Sequence, residues 1–112
     1  MPEAEPSAHH SALRAYCAAA PGAVERRRLR ETLYTARGRV FAFLGSPRHP
    51  AVTVRARPDD RAELLRHPAV QRARWVGWLG WITVSVSDKE SLELARVLIA
   101  VSHELVTSSQ PR

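Results

Sequence analysis

The sequence predicts an α+β fold: a two-layer sandwich in which an antiparallel sheet has helices packed on one of its faces. Two observations lead to this class. β-prone segments follow one another through the middle of the chain with short turn-forming connections, so neighbouring strands should pair antiparallel. Apolar residues also recur at helical spacing near both ends of the chain. A length of 112 residues suits one domain, which we assign to residues 7–107, with tails at 1–6 and 108–112.

The N-terminal helix is predicted to start with Ser7 as its N-cap and to run to about Ala20. Pro21-Gly22 ends it, because proline and glycine do not continue a helix. Its apolar stripe consists of Leu13, Tyr16, Cys17 and Ala20. Cys17 is the only cysteine, which excludes an internal disulfide and suits a reducing cytoplasm. Its place on the stripe predicts a buried thiol rather than a nucleophile.

The middle of the chain is predicted to supply the first strands. The charged segment Val24–Arg30 is either an exposed edge strand or a loop, since it has too few apolar residues for a buried strand. Thr32–Ala36 and Arg39–Leu44 should form a hairpin around Arg37-Gly38, with glycine supplying a positive φ. Ala51–Ala56 alternates apolar and polar residues, which indicates a half-buried strand with a basic outer face.

The remaining elements are a short helix, a strand and a long helix. Pro58 starts the short helix, which should extend through 61–67 until Pro68 stops it. All three tryptophans lie within 72–86, a glycine-punctuated stretch that leads into a strand with Ile82, Val84 and Val86 inward. Ser87 and Glu90 fit a capping box that opens the longest helix, to about Val106. The predicted order is α-β-β-β-α-β-α, with an extra edge strand near 26–30 as an alternative to a loop.

Several classes of protein are disfavoured. The sequence has no run of 18 apolar residues, which a membrane-spanning helix would need. The N-terminus contains Glu3 and Glu5 and lacks the basic region of a secretory signal. We therefore expect a cytoplasmic protein without a membrane partner. No H-E-x-x-H, P-loop or nucleophile-elbow motif occurs, and we expect no enzymatic activity and no cofactor. Adjacent His9 and His10 cannot share one helix face, and the chain offers no acidic ridge for hard cations, so we expect no metal.

Charge is the more informative part of the composition. The formal net charge is +6, and Lys89 is the only lysine. Residues 24–74 hold thirteen arginines against five acidic residues, whereas the rest of the chain is slightly acidic. A basic middle between neutral or acidic ends is the charge distribution expected of a protein that binds nucleic acid or another polyanion.

Five short segments stand out by their order and spacing: Ala20-Pro21-Gly22-Ala23-Val24, Gly38-Arg39-Val40-Phe41-Ala42, the short helix 60–68, the tryptophan segment 75–82 and Ser102-His103-Glu104-Leu105-Val106. Together they resemble the MmcQ/YjbR family of small bacterial proteins, over roughly residues 12–106. The resemblance implies a fold similar to CyaY, described in the family as a "double wing" suggested to bind DNA.

The chain also departs from the family pattern at three places. The family's Trp-Gly-x-Pro before the first hairpin is Leu29-Arg30-Glu31-Thr32 here, its lysine in the glycine-flanked motif is Trp78, and its late tyrosine is His103. The change at position 78 replaces a candidate phosphate contact with an indole. Trp81, which lies in the strand, is expected to pack against a neighbour rather than touch a ligand.

The function predicted from these features is DNA binding, with arginine side chains on phosphates and two indoles near them. Arginine suits phosphate because its guanidinium group donates two parallel hydrogen bonds. Arg37 and Arg39 at a hairpin tip and Arg48 in the next loop are placed as wing tips would be. The alternative is a protein-interaction or structural module, a monomer or homodimer, that uses a Trp75/Trp78 patch. The predicted nucleic-acid site comprises Arg26, Arg27, Arg28, Arg30, Arg37, Arg39, Arg48, Arg55, Arg57, Arg72, Arg74, Trp75 and Trp78.

Overall fold

The computed structural model describes residues 6–29, 31–74 and 80–108, and it has the predicted α+β architecture. Six strands form one antiparallel sheet in the order β1-β2-β3-β4-β6-β5, and three helices pack against it. The elements are α1 (Pro6–Ala19), β1 (Val24–Arg28), β2 (Glu31–Ala36), β3 (Arg39–Leu44), β4 (Ala51–Arg55), α2 (Pro58–Leu64), β5 (Val70–Arg72), β6 (Trp81–Ser85) and α3 (Lys89–Thr107).

Two strands go beyond the basic predicted order. The charged segment after α1 forms an edge strand, β1, whose residues are all exposed. A three-residue strand, β5, pairs with β6 at the other edge of the sheet. The sequence pattern does not predict β5, because the three residues Val70–Arg72 are too few to show the alternation of a strand.

The ends of the helices differ in detail from the prediction. Helix α1 begins at Pro6, so Ser7 lies inside it instead of capping it. Helix α2 ends at Leu64, three residues before the predicted His67. Helix α3 has its N-cap at Asp88, not Ser87: the Asp88 carboxylate accepts from the Ser91 backbone N–H at 2.8 Å. The capping box therefore pairs Asp88 with Ser91, because aspartate is as good an N-cap as serine and lies one residue closer to the helix.

The β2–β3 connection is the predicted tight hairpin. Arg37 and Gly38 both have positive φ, 55° and 78°. Two successive residues with positive φ are the signature of a turn whose twist matches that of the flanking strands. Arginine at the first of these positions is unusual, because residues with a Cβ seldom adopt positive φ.

The core lies between the sheet and the long helices. Helices α1 and α3 pack against each other and against β3 and β4. The largest fully buried side chains of this core are Tyr34, Phe41, Leu13, Ile82, Val52, Val54 and Val84, with Cys17 beside them. Among the helices described, none is long and apolar enough to cross a membrane.

A β-bulge decides which face of the sheet the β3 side chains occupy. Tyr34 pairs with Ala42, but the next residue, Thr35, pairs with Val40, so Phe41 has no direct partner. The extra residue lets Phe41 and Ala42 both enter the helix-side core, where each is fully buried. Phe43, two residues on, consequently faces the opposite side.

Candidate nucleic-acid interface

The face of the sheet away from the helices, called the open face below, carries a mixed polar and aromatic surface. Side chains directly opposite each other on paired strands share a face. The register joins one residue from each strand into a single row across this face, namely Arg26, Leu33, Phe43, Thr53, Thr83 and Gln71. The row begins with an arginine and has a half-exposed aromatic ring near its centre.

Two aromatic rings meet on the open face. The ring centroids of Phe43 and Trp81 are 5.5 Å apart, with the planes tilted by 59°. Trp81 is nearly buried, and the Arg55 guanidinium carbon lies 6.0 Å from its ring centroid. Trp81 thus packs against its sheet neighbours, as the sequence indicated, and it supports Phe43, which keeps part of its ring accessible.

A trough runs along the open face beside this aromatic pair. One cavity of about 490 Å³ is lined by residues that include Phe43, Thr53 and Arg74. A second, of about 460 Å³, is lined by residues that include Arg48 and Ser85. The two adjoin at Ala51, Gln71 and Thr83, and we call them together the open-face trough; the second also reaches His9 of α1 and Ser87 beyond the face itself.

Strand β1 presents consecutive arginines to solvent. Arg26, Arg27 and Arg28 are all exposed. By register, Arg26 and Arg28 lie on the open-face side with Leu33 and Glu31. Glu25 alternates to the other side, where its carboxylate accepts from Arg14 at 3.0 Å and from the Tyr34 hydroxyl at 2.6 Å. Among the described residues, no carboxylate forms a salt bridge with these three arginines.

The arginines predicted as wing tips lie at opposite ends of the sheet. Arg37 and Arg39 flank the turn between β2 and β3, whereas Arg48 lies in the connection between β3 and β4. The six residues of β3 separate these two ends by about 20 Å, at roughly 3.3 Å per residue. Arg37 also donates a 2.9 Å hydrogen bond to the Thr107 carbonyl at the end of α3. The three side chains therefore do not form one cluster.

The other predicted site residues fall into three groups. Arg55 and Arg74 belong to the open face, one over Trp81 and the other in the wall of the trough. Arg57 forms a 2.9 Å salt bridge with Glu104 of α3, and Arg72 pairs with Ile82, which places it by register on the helix side. Predictions that concern Arg30, Trp75 and Trp78 fall on positions outside the described residues.

Acidic residues are nearly absent from the open face. Among the described strand residues that face this side, Glu31 is the one carboxylate, against Arg26, Arg28 and Arg55. The other described acidic side chains lie elsewhere: Glu25 on the helix side of β1, Asp88 at the N-cap of α3, and the rest in α2 and α3. The open face is therefore electropositive, and its field favours an anionic ligand.

Two potentially reactive side chains, Cys17 and His103, make their contacts away from the open face. Burial, reinforced by nearby Glu25, raises the pKa of the Cys17 thiol to about 12, so the thiol is protonated at neutral pH. His103 is half-buried, with its Nε2 2.7 Å from the Pro21 carbonyl oxygen and its ring at a right angle to Phe41. No group of three or more potential metal ligands occurs in the described ranges.

The Glu25 carboxylate makes stability depend on acid pH. Its hydrogen bonds from Arg14 and Tyr34 hold its pKa below the usual 4.5. A carboxyl group with a depressed pKa stabilises the fold above its unfolded pKa, and that contribution is lost as the pH falls through the folded pKa. Between about pH 6 and about pH 3, wild-type protein should therefore lose more stability than the Glu25→Gln variant. Urea unfolding at several pH values in this range measures the loss of stability, and Asp59→Asn, at an exposed position of α2, serves as the control. Equal losses in Glu25→Gln and wild type would contradict a stabilising role for the Glu25 carboxylate.

The sequence prediction of the site does not include Phe43, Thr53, Gln71 or Thr83. The alternation in β4 and β6 does place Thr53 and Thr83 on the outward side, and their hydroxyls lie 2.8 Å apart on the open face. Gln71 was hidden in the very short β5. Phe43 carried no usable signal, because its face depends on the bulge at Phe41.

Comparison with known proteins gives one result. A sequence model of the YjbR family matches residues 18–105, which is well over half of the chain. The match spans the sheet, α2 and most of α3, and it includes the lining of the open-face trough except His9 of α1. Among curated proteins, none matches the chain.

Proposed function

The chain belongs to the YjbR family, and from this premise we propose that it is a non-enzymatic DNA-binding protein that holds phosphates with an arginine-rich surface. The observation that carries the proposal is strand β1, a sheet edge with three consecutive exposed arginines. None of the three forms a salt bridge among the described residues. Glu31 lies opposite Arg28 and Glu25 is near Arg27, so the strand keeps a net positive charge for an external anion.

The spacing of these arginines suits a nucleic-acid backbone. Arg26 and Arg28 lie on one side of β1 and are about 7 Å apart, at roughly 3.3 Å per strand residue. Two nucleotides of one DNA strand rise by about the same distance, at roughly 3.4 Å each. The two guanidinium groups can therefore contact separate phosphates of one DNA strand, and Arg48 adds a positive charge in the connection between β3 and β4.

Homodimerisation through this sheet edge is disfavoured by the same residues. Pairing β1 with β1 of a second copy would bring two sets of three arginines together. Like charges opposite each other destabilise strand pairing, and charged side chains are a common means of preventing edge-to-edge association. The Trp75/Trp78 form of the protein-interaction alternative concerns positions outside the described residues.

Binding without catalysis fits the side chains available. The Cys17 thiol is buried and protonated, and the Glu25 carboxylate is held by Arg14 and Tyr34. A nucleophile or general base must reach a substrate, so neither group suits that role.

Fluorescence anisotropy with a labelled DNA duplex of about 20 base pairs, titrated from low to moderate salt, tests the proposal. Because each neutralised phosphate adds about 0.9 to the slope of log affinity against log salt, the Arg26→Gln/Arg27→Gln/Arg28→Gln variant should lower the slope by about 2 to 3. We expect its affinity at low salt to fall at least about ten-fold.

A matched control variant removes three positive charges from arginines outside strand β1. Arg14, Arg57 and Arg96 are all paired with carboxylates, so their simultaneous replacement by glutamine changes the net charge equally. This control should keep the wild-type slope. An absence of duplex binding by wild-type protein at low salt, or equal slopes in both triple variants, would refute the proposal.

A further inference from the structure

We propose that the open-face trough binds single-stranded DNA, with one unpaired base stacked on Phe43. The inference takes its ligand class from the proposed function and adds the form of the DNA and the surface that holds it. Three independent features of the open face carry it: a partly exposed aromatic ring, polar side chains beside that ring, and a predominantly positive charge pattern around both.

The aromatic feature points to an unpaired base. Phe43 lies near the centre of the sheet, half-exposed and supported by Trp81 at 5.5 Å. Every base has a π face that can stack on such a ring, but in a duplex both faces are already covered by neighbouring base pairs. A ring in a depression on the open face therefore selects a strand whose bases are free.

The polar feature supplies hydrogen-bonding groups next to the ring. Thr53 and Thr83 lie beside Phe43 in the same cross-strand row, and Gln71 ends that row. A glutamine amide offers both donors and an acceptor, and a hydroxyl can do either. These groups can meet the edge of a stacked base without requiring one particular base.

The charge feature matches the phosphates that such a strand brings. Arg74 lines one part of the trough and Arg48 the other, so a strand along the trough meets an arginine toward each end. Arg26 and Arg55 lie on the same face, at the β1 edge and over Trp81. Glu31 is the one carboxylate among the described residues that line the trough. A positive groove with a stacking platform is the usual design of single-strand binding sites.

A second copy of the chain is the competing occupant of this face. Its own arginines would then face those of the first copy across a small apolar centre, which opposes association. We therefore commit to single-stranded DNA and treat self-association as an outcome of the test.

The first arm of the test uses wild-type protein and two labelled probes, a thymidine 12-mer and a 12-mer of abasic sites with the same phosphates. Stacking on Phe43 should make the thymidine probe bind roughly ten-fold more tightly, since one base–aromatic stack is typically worth a factor of about five to about 150. Equal affinities would overturn the inference, because phosphate contacts alone would then explain binding.

The second arm uses variants of the ring. Phe43→Leu should lower affinity for the thymidine 12-mer roughly ten-fold and leave the abasic 12-mer unchanged, while Phe43→Tyr should keep wild-type affinity for both. Circular dichroism verifies that both variants are folded. An unchanged thymidine affinity in Phe43→Leu, or a wild-type dimer that Phe43→Leu converts to a monomer in light scattering, would overturn the inference.

These outcomes separate this inference from the proposed function. The protein could bind duplex DNA with a salt slope that depends on β1 and yet bind the thymidine and abasic probes equally. That result would refute only the single-strand site and leave the proposed function standing. Failure of every DNA probe at low salt would remove both.

Discussion

Replacing Phe41 by alanine should lower the free energy of unfolding by about 3 to 5 kcal/mol, as expected for a fully buried phenylalanine. Phe41 is 0% exposed, and its ring packs 6.4 Å from that of Tyr34 and 5.2 Å from that of His103. It is also the bulge residue that directs β3, so the cavity would open where the sheet, α1 and α3 meet. Urea unfolding followed by circular dichroism measures the loss.

Phe43→Ala is the matched control for this prediction. It removes the same side chain from the same strand, two residues away, but from a half-exposed position on the open face. Since the loss scales with the burial of the deleted atoms, Phe43→Ala should cost less than half as much. Comparable losses for the two variants would show that the faces of Phe41 and Phe43 are wrongly assigned.

The second large effect is expected at Ser102, whose hydroxyl joins α3 to two strands. The side chain is fully buried; it donates to the Phe41 carbonyl at 2.7 Å and accepts from the Arg55 backbone N–H at 2.9 Å. Ser102→Ala leaves both backbone groups without this partner in the interior. A buried polar group left unsatisfied costs about 1 to 3 kcal/mol, so we expect the two groups together to cost at least about 2 kcal/mol.

Ser11→Ala supplies the comparison for Ser102→Ala. Ser11 lies in α1 and is exposed, so its replacement tests the same chemical change in a helix without removing a buried hydrogen bond. Its effect should stay within about 0.5 kcal/mol. A Ser102→Ala protein as stable as the Ser11→Ala protein would contradict the role of this hydroxyl as a bridge between α3 and the sheet.

Ser102 also illustrates why the sequence revealed only part of the architecture. The segment Ser102-His103-Glu104-Leu105-Val106 supports the resemblance to the YjbR family, yet nothing in its spacing shows that the serine reaches two strands. Its partners, Phe41 and Arg55, are 61 and 47 residues away. Contacts of this kind depend on how α3 crosses the sheet, which local periodicity does not encode.

The candidate site shows the same division. The excess of arginine in residues 24–74 was readable from composition, and an edge strand at β1 was one of two alternatives. The sequence does not show how the arginines are grouped in space. Arg37 and Arg39 lie at one end of β3 and Arg48 at the other, although the three are near one another in sequence. Arg57, predicted as a phosphate contact, is paired with Glu104, which comes 47 residues later.

By itself, the sequence determined the elements whose cause is local: the long helices with their apolar stripes, the hairpin at Arg37-Gly38, and the alternation that turns Val52, Val54, Ile82 and Val84 into the core. The tertiary structure decided which face carries the aromatic ring of the trough. A single extra residue at Phe41 breaks the period of two and reverses the alternation beyond it. Because that bulge exists only in the pairing of β2 with β3, the open face with Phe43 and Trp81 can be recognised only once the strands are assembled.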